Sequence, residues 1–520
     1  MRTIFSIFTK IQKNILVQNF TKQKIAPKQK IVYFVNIYLN LKITMFVGRK
    51  LELERLHALW NKNIASFVVM KGRRRIGKSR LIEEFAKKTN IISLSGLAPS
   101  EVITSQDQRD EFARQLARFF HIPIPYSNDW GDLFWHLAYH TQKGKVVILL
   151  DEISWMGMKD PTFLGKLKNI WDQNLKKNPN LILIVCGSVS SWIEKNILSH
   201  TGFVGRVDLV FNLEELSLAE CNDFWGKQGD HISAYEKFKV LSVTGGVPKY
   251  LESLTPDVSA DEFIRQSCFT PEGFLFREFD QIFNDLFARR SSIYIAILKC
   301  LVANKFSSLD DILTSMNLQK SGVYSGYLED LQLSGFISKH HTWNLKDGKI
   351  SKLVKFRISD NYVRFYLKYI EPNKEQIKKG AFHNRSITTL PAFDSIMGLQ
   401  IENLVIKNRN ALCKILSIPV SEIINDGPYF QKPTKIKKGC QVDYMIHSKF
   451  NSLYCCEIKF SRNSIKLSVV DEVRQKIQSL EHAKIMSVRP ILIHINGVDD
   501  SVLGEEFFAK IINLGKLLDS

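Results

Sequence analysis

The 520 residues predict an α/β protein: a parallel sheet first, then a helical stretch, a helix-and-hairpin module and a second α/β unit at the C-terminus. Three observations carry this prediction. FVVMKGRRRIGKSRLIEEF at 67–85 reads as an apolar strand, a glycine-broken loop and an amphipathic helix. KVVILLDEISWM at 145–156 is an apolar strand that ends on adjacent carboxylates. GCQVDYMIHS at 439–448 and NSLYCCEIKFS at 451–461 are two further apolar strands, each with an acid inside it.

The first loop has the spacing G-x-x-x-x-G-K-S, from Gly72 through Gly77 to Lys78 and Ser79, which is that of a phosphate-binding loop. Glycines allow positive φ, so consecutive backbone N–H groups can surround a phosphate while the next helix points its positive end at it. Gly72, Arg73, Arg74, Arg75, Ile76, Gly77, Lys78, Ser79 and Arg80 are therefore the candidate nucleotide-binding residues. Lys78 is expected to neutralise phosphate charge, and the Ser79 hydroxyl to hold Mg²⁺.

Hydrolysis needs more than binding. Asp151 closes the second strand and is placed to coordinate Mg²⁺ through water, with Glu152 beside it as general base. A third strand, LILIVCGS at 181–188, ends at Ser188, whose hydroxyl is a candidate γ-phosphate sensor. Arg206 is a candidate arginine finger, with a surface ion pair as the competing reading. A finger supplied by a neighbouring subunit would make a homo-oligomer the working form. VTGGVPKYL at 243–251 reads as a turn into a helix.

Composition limits the partners. Apolar residues make up 45% and charged residues 24%, the composition of an ordinary globular chain, so disorder is not the default. The net charge of +20 favours nucleic acid first and an anionic membrane surface second, with a basic chain that has no such partner as the alternative. No run of about 18 apolar residues offers a membrane span. Eight cysteines without C-x-x-C spacing read as reduced thiols, which excludes a disulfide framework or zinc site and points to the cytoplasm. Residues 1–44 contain no Asp or Glu and eight Lys or Arg, so removing them lowers the charge from +20 to +12. A basic anchor or a transit-like peptide would suit that composition, but the preferred expectation is a leader read through ahead of a start at Met45.

MFVGRKLELERL at 45–56, KGRRRIGKS at 71–79, LLDEISWM at 149–156, the CGS strand end and GGVPKYL together resemble the prokaryotic, archaeal-type ATPases of the AAA-like, STAND-related P-loop class. The resemblance runs from residue 45 to about 500 and is densest in the first half. It implies ATP and Mg²⁺ as ligands, a P-loop NTPase sheet over 45–200 and a helical lid over 201–288. It also implies that Val47, Gly48 and Arg49 lie near the adenine. Members continue with a winged helix and a nuclease-like region.

The second half fits that order. Residues 289–370 read as a winged helix, with Lys320, Ser321 and Tyr324 near the start of its third helix, where DNA would be met, although Glu329 and Asp330 count against DNA there. A linker is expected over 371–384. Residues 385–520 then form a restriction-endonuclease-like α/β domain. Asp443, Glu457 and Lys459 fit D-x(13)-E-x-K, the PD-(D/E)XK pattern in which two carboxylates share a metal and the lysine activates water. Glu402 is the expected further acid, and Gln475 a contact to backbone or water. Any hairpin with surface charges can imitate this pattern. Two functions are therefore expected: an ATPase coupled to a DNA-directed nuclease, or an ATP-driven regulatory or defence switch whose nuclease-like domain is inactive.

Overall fold

In the computed structural model, the described residues are 46–519 except 101, 288–289, 434–437 and 482–485; the expectation for residues 1–44 lies outside them. Five strands form the first sheet: β1 (Ser66–Gly72), β2 (Asn90–Ser95), β3 (Val146–Asp151), β4 (Leu181–Gly187) and β5 (Leu209–Leu213), in the order β2-β3-β4-β1-β5. Every pairing is parallel. Such a sheet needs cover on both faces, which is why β1, β3 and β4 read as continuous apolar runs. Phe67 and Val69 of β1 pack with Trp130 and Phe134 of one flanking layer. The alternate residues Val68 and Met70 are equally buried, and α2 (Lys78–Ala86) packs on β1, β2 and β3. Each such side chain contributes about 1.5–3 kcal/mol of burial.

Two strands were not anticipated. β2 is half polar, with Asn90, Ser93 and Ser95 among its six residues, and β5 falls inside the segment expected as lid. LVFNL is too short to stand out, yet it pairs with β1 from Val68 to Gly72. The sheet therefore ends at Leu213 rather than by residue 200.

Most of the rest of the chain shares one large core, in which Leu216 and Leu518 belong to the same cluster, with two smaller clusters around Met445 and Val470 beside it. It begins with α6 (Ala234–Thr244), preceded in the first layer by α1 (Lys50–Trp60), α3 (Ser105–Phe120), α4 (Trp130–Tyr139) and α5 (Phe163–Gln173). Next come α7 (Phe274–Phe287), then α8 (Ser291–Ala303), α9 (Leu309–Ser315) and α10 (Gly322–Leu333). Ser308 caps α9 in a reciprocal capping box with Asp311. An antiparallel hairpin follows, β6 (Ile337–Trp343) with β7 (Ile350–Ile358).

Residues 371–384, expected as a linker, are instead packed. Glu371–Asn373 and Lys374–Lys378 are short helices, Ile377 and Phe382 are buried, and Phe382 stacks on Phe269 with ring centroids 4.9 Å apart. Their apolar positions are too few to be visible among the lysines. The second sheet has the order β12-β11-β10-β9-β8, made of β8 (Ile423–Gln431), β9 (Cys440–Ser448), β10 (Ser452–Ile458), β11 (Ser487–His494) and β12 (Lys510–Asn513). β8, β9 and β10 pair antiparallel, β10, β11 and β12 parallel.

α11 (Asn361–Phe365) joins the two halves, because its cap Asp360 accepts from Val363 N at 2.9 Å and meets Arg73 Nη1 at 2.7 Å. Both side chains are buried. Removing one partner of such a pair leaves an uncompensated charge in the interior. Asp360→Ala should therefore cost about 3–5 kcal/mol, read as a lowered denaturation midpoint.

Candidate functional site

The candidate site lies at the C-terminal ends of β1, β3 and β4, where the open edge of a parallel sheet meets the following helices. Gly72 ends β1 so close to β5 that a Cβ there would lie 2.4 Å from the Leu213 carbonyl oxygen. Arg75 and Gly77 take positive φ, 69° and 87°, which turns the loop into α2. Lys78 is the first residue of that helix and is buried. Its ammonium donates to the Gly72 and Arg73 carbonyls at 2.9 and 3.2 Å. Ser79 Oγ donates to Asp151 Oδ2 at 2.7 Å.

β4 lies between β1 and β3, so its end stands beside both. Glu152, at φ 50°, turns its Oε2 toward Ser188, which donates from its N and its Oγ, each at 2.9 Å. Asp151 Oδ1 accepts from the Glu152 N–H at 2.9 Å and the Cys186 thiol at 2.8 Å. Burial and the Asp151 charge hold that thiol well above its ordinary pKa, so it remains protonated. The structure thus brings Ser79, Asp151, Glu152 and Ser188 together.

The loop arginines turn elsewhere. Arg73 pairs with Asp360, lies 3.7 Å from Glu215, donates to the Tyr250 hydroxyl at 3.2 Å and stacks near the Tyr250 and Phe336 rings. Burial works against its charge, but Asp360, Tyr250 and Glu215 outweigh burial and raise its pKa. Arg75 Nε donates to Glu278 of α7 at 2.9 Å. Arg74 is held below its ordinary pKa by burial and by Arg75. Arg80 reaches Glu83 at 3.4 Å on an exposed helix face. Gly48 and Arg49 both have positive φ; Arg49 N donates to Glu220 Oε1 at 2.7 Å and its Nη2 to the Ile76 carbonyl at 3.3 Å. Beside them opens a cavity of about 920 Å³ with Arg49, Gly72, Arg73, Glu215 and Lys407 among its walls. It runs alongside the loop, and Lys78 and Ser79 do not line it.

Gly246 N donates to Glu215 at 3.0 Å, and Pro248 comes within 3.9 Å of where a Gly77 Cβ would stand. Lys249 is exposed and pairs with Glu252. Arg206 is in a different place. It grips Asp172 with Nε and Nη2 at 2.8–3.1 Å, just ahead of β5, at the sheet edge opposite the phosphate loop. It does not reach the loop of its own chain, because β5 runs parallel to β1 and begins at the far end.

Residues 46–254 match the family model described as an ATPase domain predominantly from Archaea. This stretch is an archaeal-type ATPase domain. An uncharacterized protein of Methanocaldococcus jannaschii is 24% identical over 340 residues, 65% of this chain and 72% of its own length. An uncharacterized ATP-binding protein of the same organism is 49% identical over 49 residues, 9% of this chain and 83% of its own. Among solved structures, a Walker-type ATPase of Pyrococcus abyssi has 16% identity and a TM-score of 0.47, covering 62% of this chain and 96% of its own. The Aeropyrum pernix ORC2 protein has 13% identity and a TM-score of 0.39, covering 66% and 96%.

Beyond the ATPase domain, the second sheet gathers a separate set of charges. Tyr444 pairs with Cys456 in the β9–β10 register, so Asp443 and Glu457 are the next residues along, and both are buried. Glu402 comes from α12 (Phe393–Lys407). Each acid is met by a basic side chain. Lys305, in the turn between α8 and α9, donates to Glu402 Oε1 at 2.6 Å and Asp443 Oδ1 at 2.8 Å. Arg357 Nη1 is 3.2 Å from Glu402 Oε2. Glu457 is 3.0 Å from Lys459 and 2.6 Å from Lys476. Lys476 belongs to α13 (Ser468–Ser479); Gln475, one position earlier on that helix, is exposed. Burial would raise Asp443, but Lys305 and Lys476 outweigh it and hold its carboxyl below the usual range. Glu402 is raised by burial and by Asp443, against Arg357 and Lys305. Among the described residues, no three His, Cys, Asp or Glu side chains are grouped as a metal would require, so these acids do not fit a metal ion as they stand.

Several residues of these clusters had no signal in the sequence. Glu215, Glu278, Lys305 and Lys476 belong to no motif, and Tyr250, though inside GGVPKYL, was marked there only as part of a turn into a helix.

His340, on β6 beside Phe306, is pushed down from 6.5 to about 3 by burial, with Arg357 and His341 adding to it. The unfolded imidazole takes its proton near 6.5, so below that pH the unfolded chain binds more protons than the folded one. Stability from this group is full above 6.5 and should fall as the pH is lowered toward about 3. His340→Gln should flatten that loss, as measured by melting temperature against pH.

Proposed function

We propose that the archaeal-type ATPase domain binds ATP with Mg²⁺ at loop 72–79 and hydrolyses it, and that nucleotide state controls how the remainder of the chain meets DNA. The observation that supports this best is the linked set Ser79–Asp151 and Glu152–Ser188, aligned at the ends of three adjacent strands beside the buried Lys78 ammonium. Loop N–H groups and Lys78 hold the phosphates, and Gly48 and Arg49 border the adenine. Ser79 would hold Mg²⁺ and Asp151 would reach it through water, where the ion would neutralise developing phosphate charge. Glu152 Oε2 is tied to Ser188, which leaves Oε1 to take the proton of the attacking water. Ser188, held by that carboxylate, registers any movement of Glu152 when the γ-phosphate leaves. Arg206 serves only in a neighbouring subunit, in a homo-oligomer.

Lys78→Ala should abolish ATP binding. Glu152→Gln should retain it and lower turnover by roughly 10²–10⁴-fold, since an amide takes no proton. Wild-type turnover in Glu152→Gln would place the base elsewhere.

In the same reading, α8, α9, α10 and the β6–β7 hairpin are a winged helix. Lys320 and Ser321 are exposed at the start of α10, as a DNA contact requires, whereas Asp330 is engaged with the Tyr294 hydroxyl. Binding of duplex DNA by the full chain should weaken steeply with salt, because each phosphate contact releases counterions. Salt-independent binding would remove the phosphate-contact reading. A second reading, a metal-dependent nuclease that uses Asp443, Glu457, Glu402 and Lys459, is favoured by the adjacent placement of Asp443 and Glu457 on β9 and β10. The lysines now on those acids favour the regulatory switch.

A further inference from the structure

Glu402 and Asp443 are buried, and all four of their carboxylate oxygens are engaged by the chain itself. Lys305 takes Glu402 Oε1 and Asp443 Oδ1, Arg357 takes Glu402 Oε2, and the Ile458 N–H donates to Asp443 Oδ2 at 3.1 Å. Two negative charges thus meet two positive ones. A divalent cation entering this pair would add two uncompensated charges in a buried place, where such charges are costly.

The position of Lys305 is fixed by its neighbours. Ser307 exchanges two backbone hydrogen bonds with Phe356 of β7, at 2.9 and 2.8 Å. Phe306 packs against Phe430 of β8, with ring centroids 5.6 Å apart, and lies under the Arg357 guanidinium. The turn between α8 and α9 is therefore seated on the second sheet, with its ammonium between the acids.

We propose that Lys305 is the resident cation of the Glu402–Asp443 pair: it stands where a divalent ion would stand and keeps the acids closed to metal until the turn withdraws. This rests on the reading of those acids as a nuclease-like set and adds its regulation. It makes the winged-helix module an internal inhibitor of the C-terminal unit. Removing the ammonium, or the seat that positions it, opens the pair.

The test is Mn²⁺ uptake by the nucleotide-free full chain, followed by the paramagnetic signal of free Mn²⁺, counting only the part that disappears with Asp443→Asn. Lys305→Gln should bind more tightly than wild type, because the ion no longer competes with an ammonium for the two carboxylates, and Mn²⁺ should raise the melting temperature of the variant but not of wild type. Phe306→Ala, which keeps the ammonium and removes its seat, should show the same gain in smaller measure and serves if Lys305→Gln does not fold. Equal, Asp443-dependent uptake by wild type and variants would overturn the inference and leave the metal reading of the acids standing. No Asp443-dependent uptake by any of them would overturn both.

Discussion

A guanidinium does not surrender its proton, and Arg73 is only 5% exposed, so the fold has to surround it with anions and rings. This one requirement ties together parts of the chain that are far apart in sequence. Glu215 comes from just after β5, Tyr250 from the short helix Pro248–Leu251, and Asp360 from the cap of α11. Arg75 adds Glu278 from α7, and Tyr250 and Glu278 meet each other at 3.3 Å. The phosphate loop is consequently held by the elements that follow the sheet as well as by the sheet. A change in loop conformation would have to be accommodated by all of them together.

The same anchoring brings the two charge clusters close along the chain. Asp360 meets the loop, while Arg357, three residues earlier, meets Glu402. Between them Asn361 and Asn403 exchange contacts with backbone carbonyls of β7 and α12. A segment of four residues therefore touches both Arg73 of the loop and Glu402 of the acid cluster. Contacts to both places do not by themselves couple them, since coupling requires an element with two arrangements that both sites bias.

What could be read from the sequence follows from the range of each interaction. β1, β3 and β4 were legible because central parallel strands are apolar at every position, and the loop because its glycines serve local backbone geometry. β2 and β5 were not, since an edge strand exposes one side: β2 is half polar and β5 is only five residues long. The linker failed because Ile377 and Phe382 are single apolar residues among lysines, yet each finds a place in the core. Gln475 was one residue away from Lys476, and on a helix one position turns a side chain by about 100°. Asp360 and Lys305 could not have been found, because nothing in their local spacing marks them; only their partners do.

The basic character of the chain also divides once partners are known. Lys305, Lys476 and Lys459 are spent on buried acids, and Lys407 on Glu215 at 2.6 Å. Their charge is internal and says little about nucleic acid. Lys78 differs from all of them. It is as buried as the acids are, but its hydrogen-bond partners are two carbonyl oxygens, which orient an ammonium without cancelling its charge. Such a cation is stabilised further by an anion of matching charge, whereas Lys305, between two carboxylates, is already compensated. In the proposed reading, the loop around Lys78 receives phosphate and the acids around Lys305 exclude a second cation. The contrast follows from what each ammonium faces, not from the number of charges in either place.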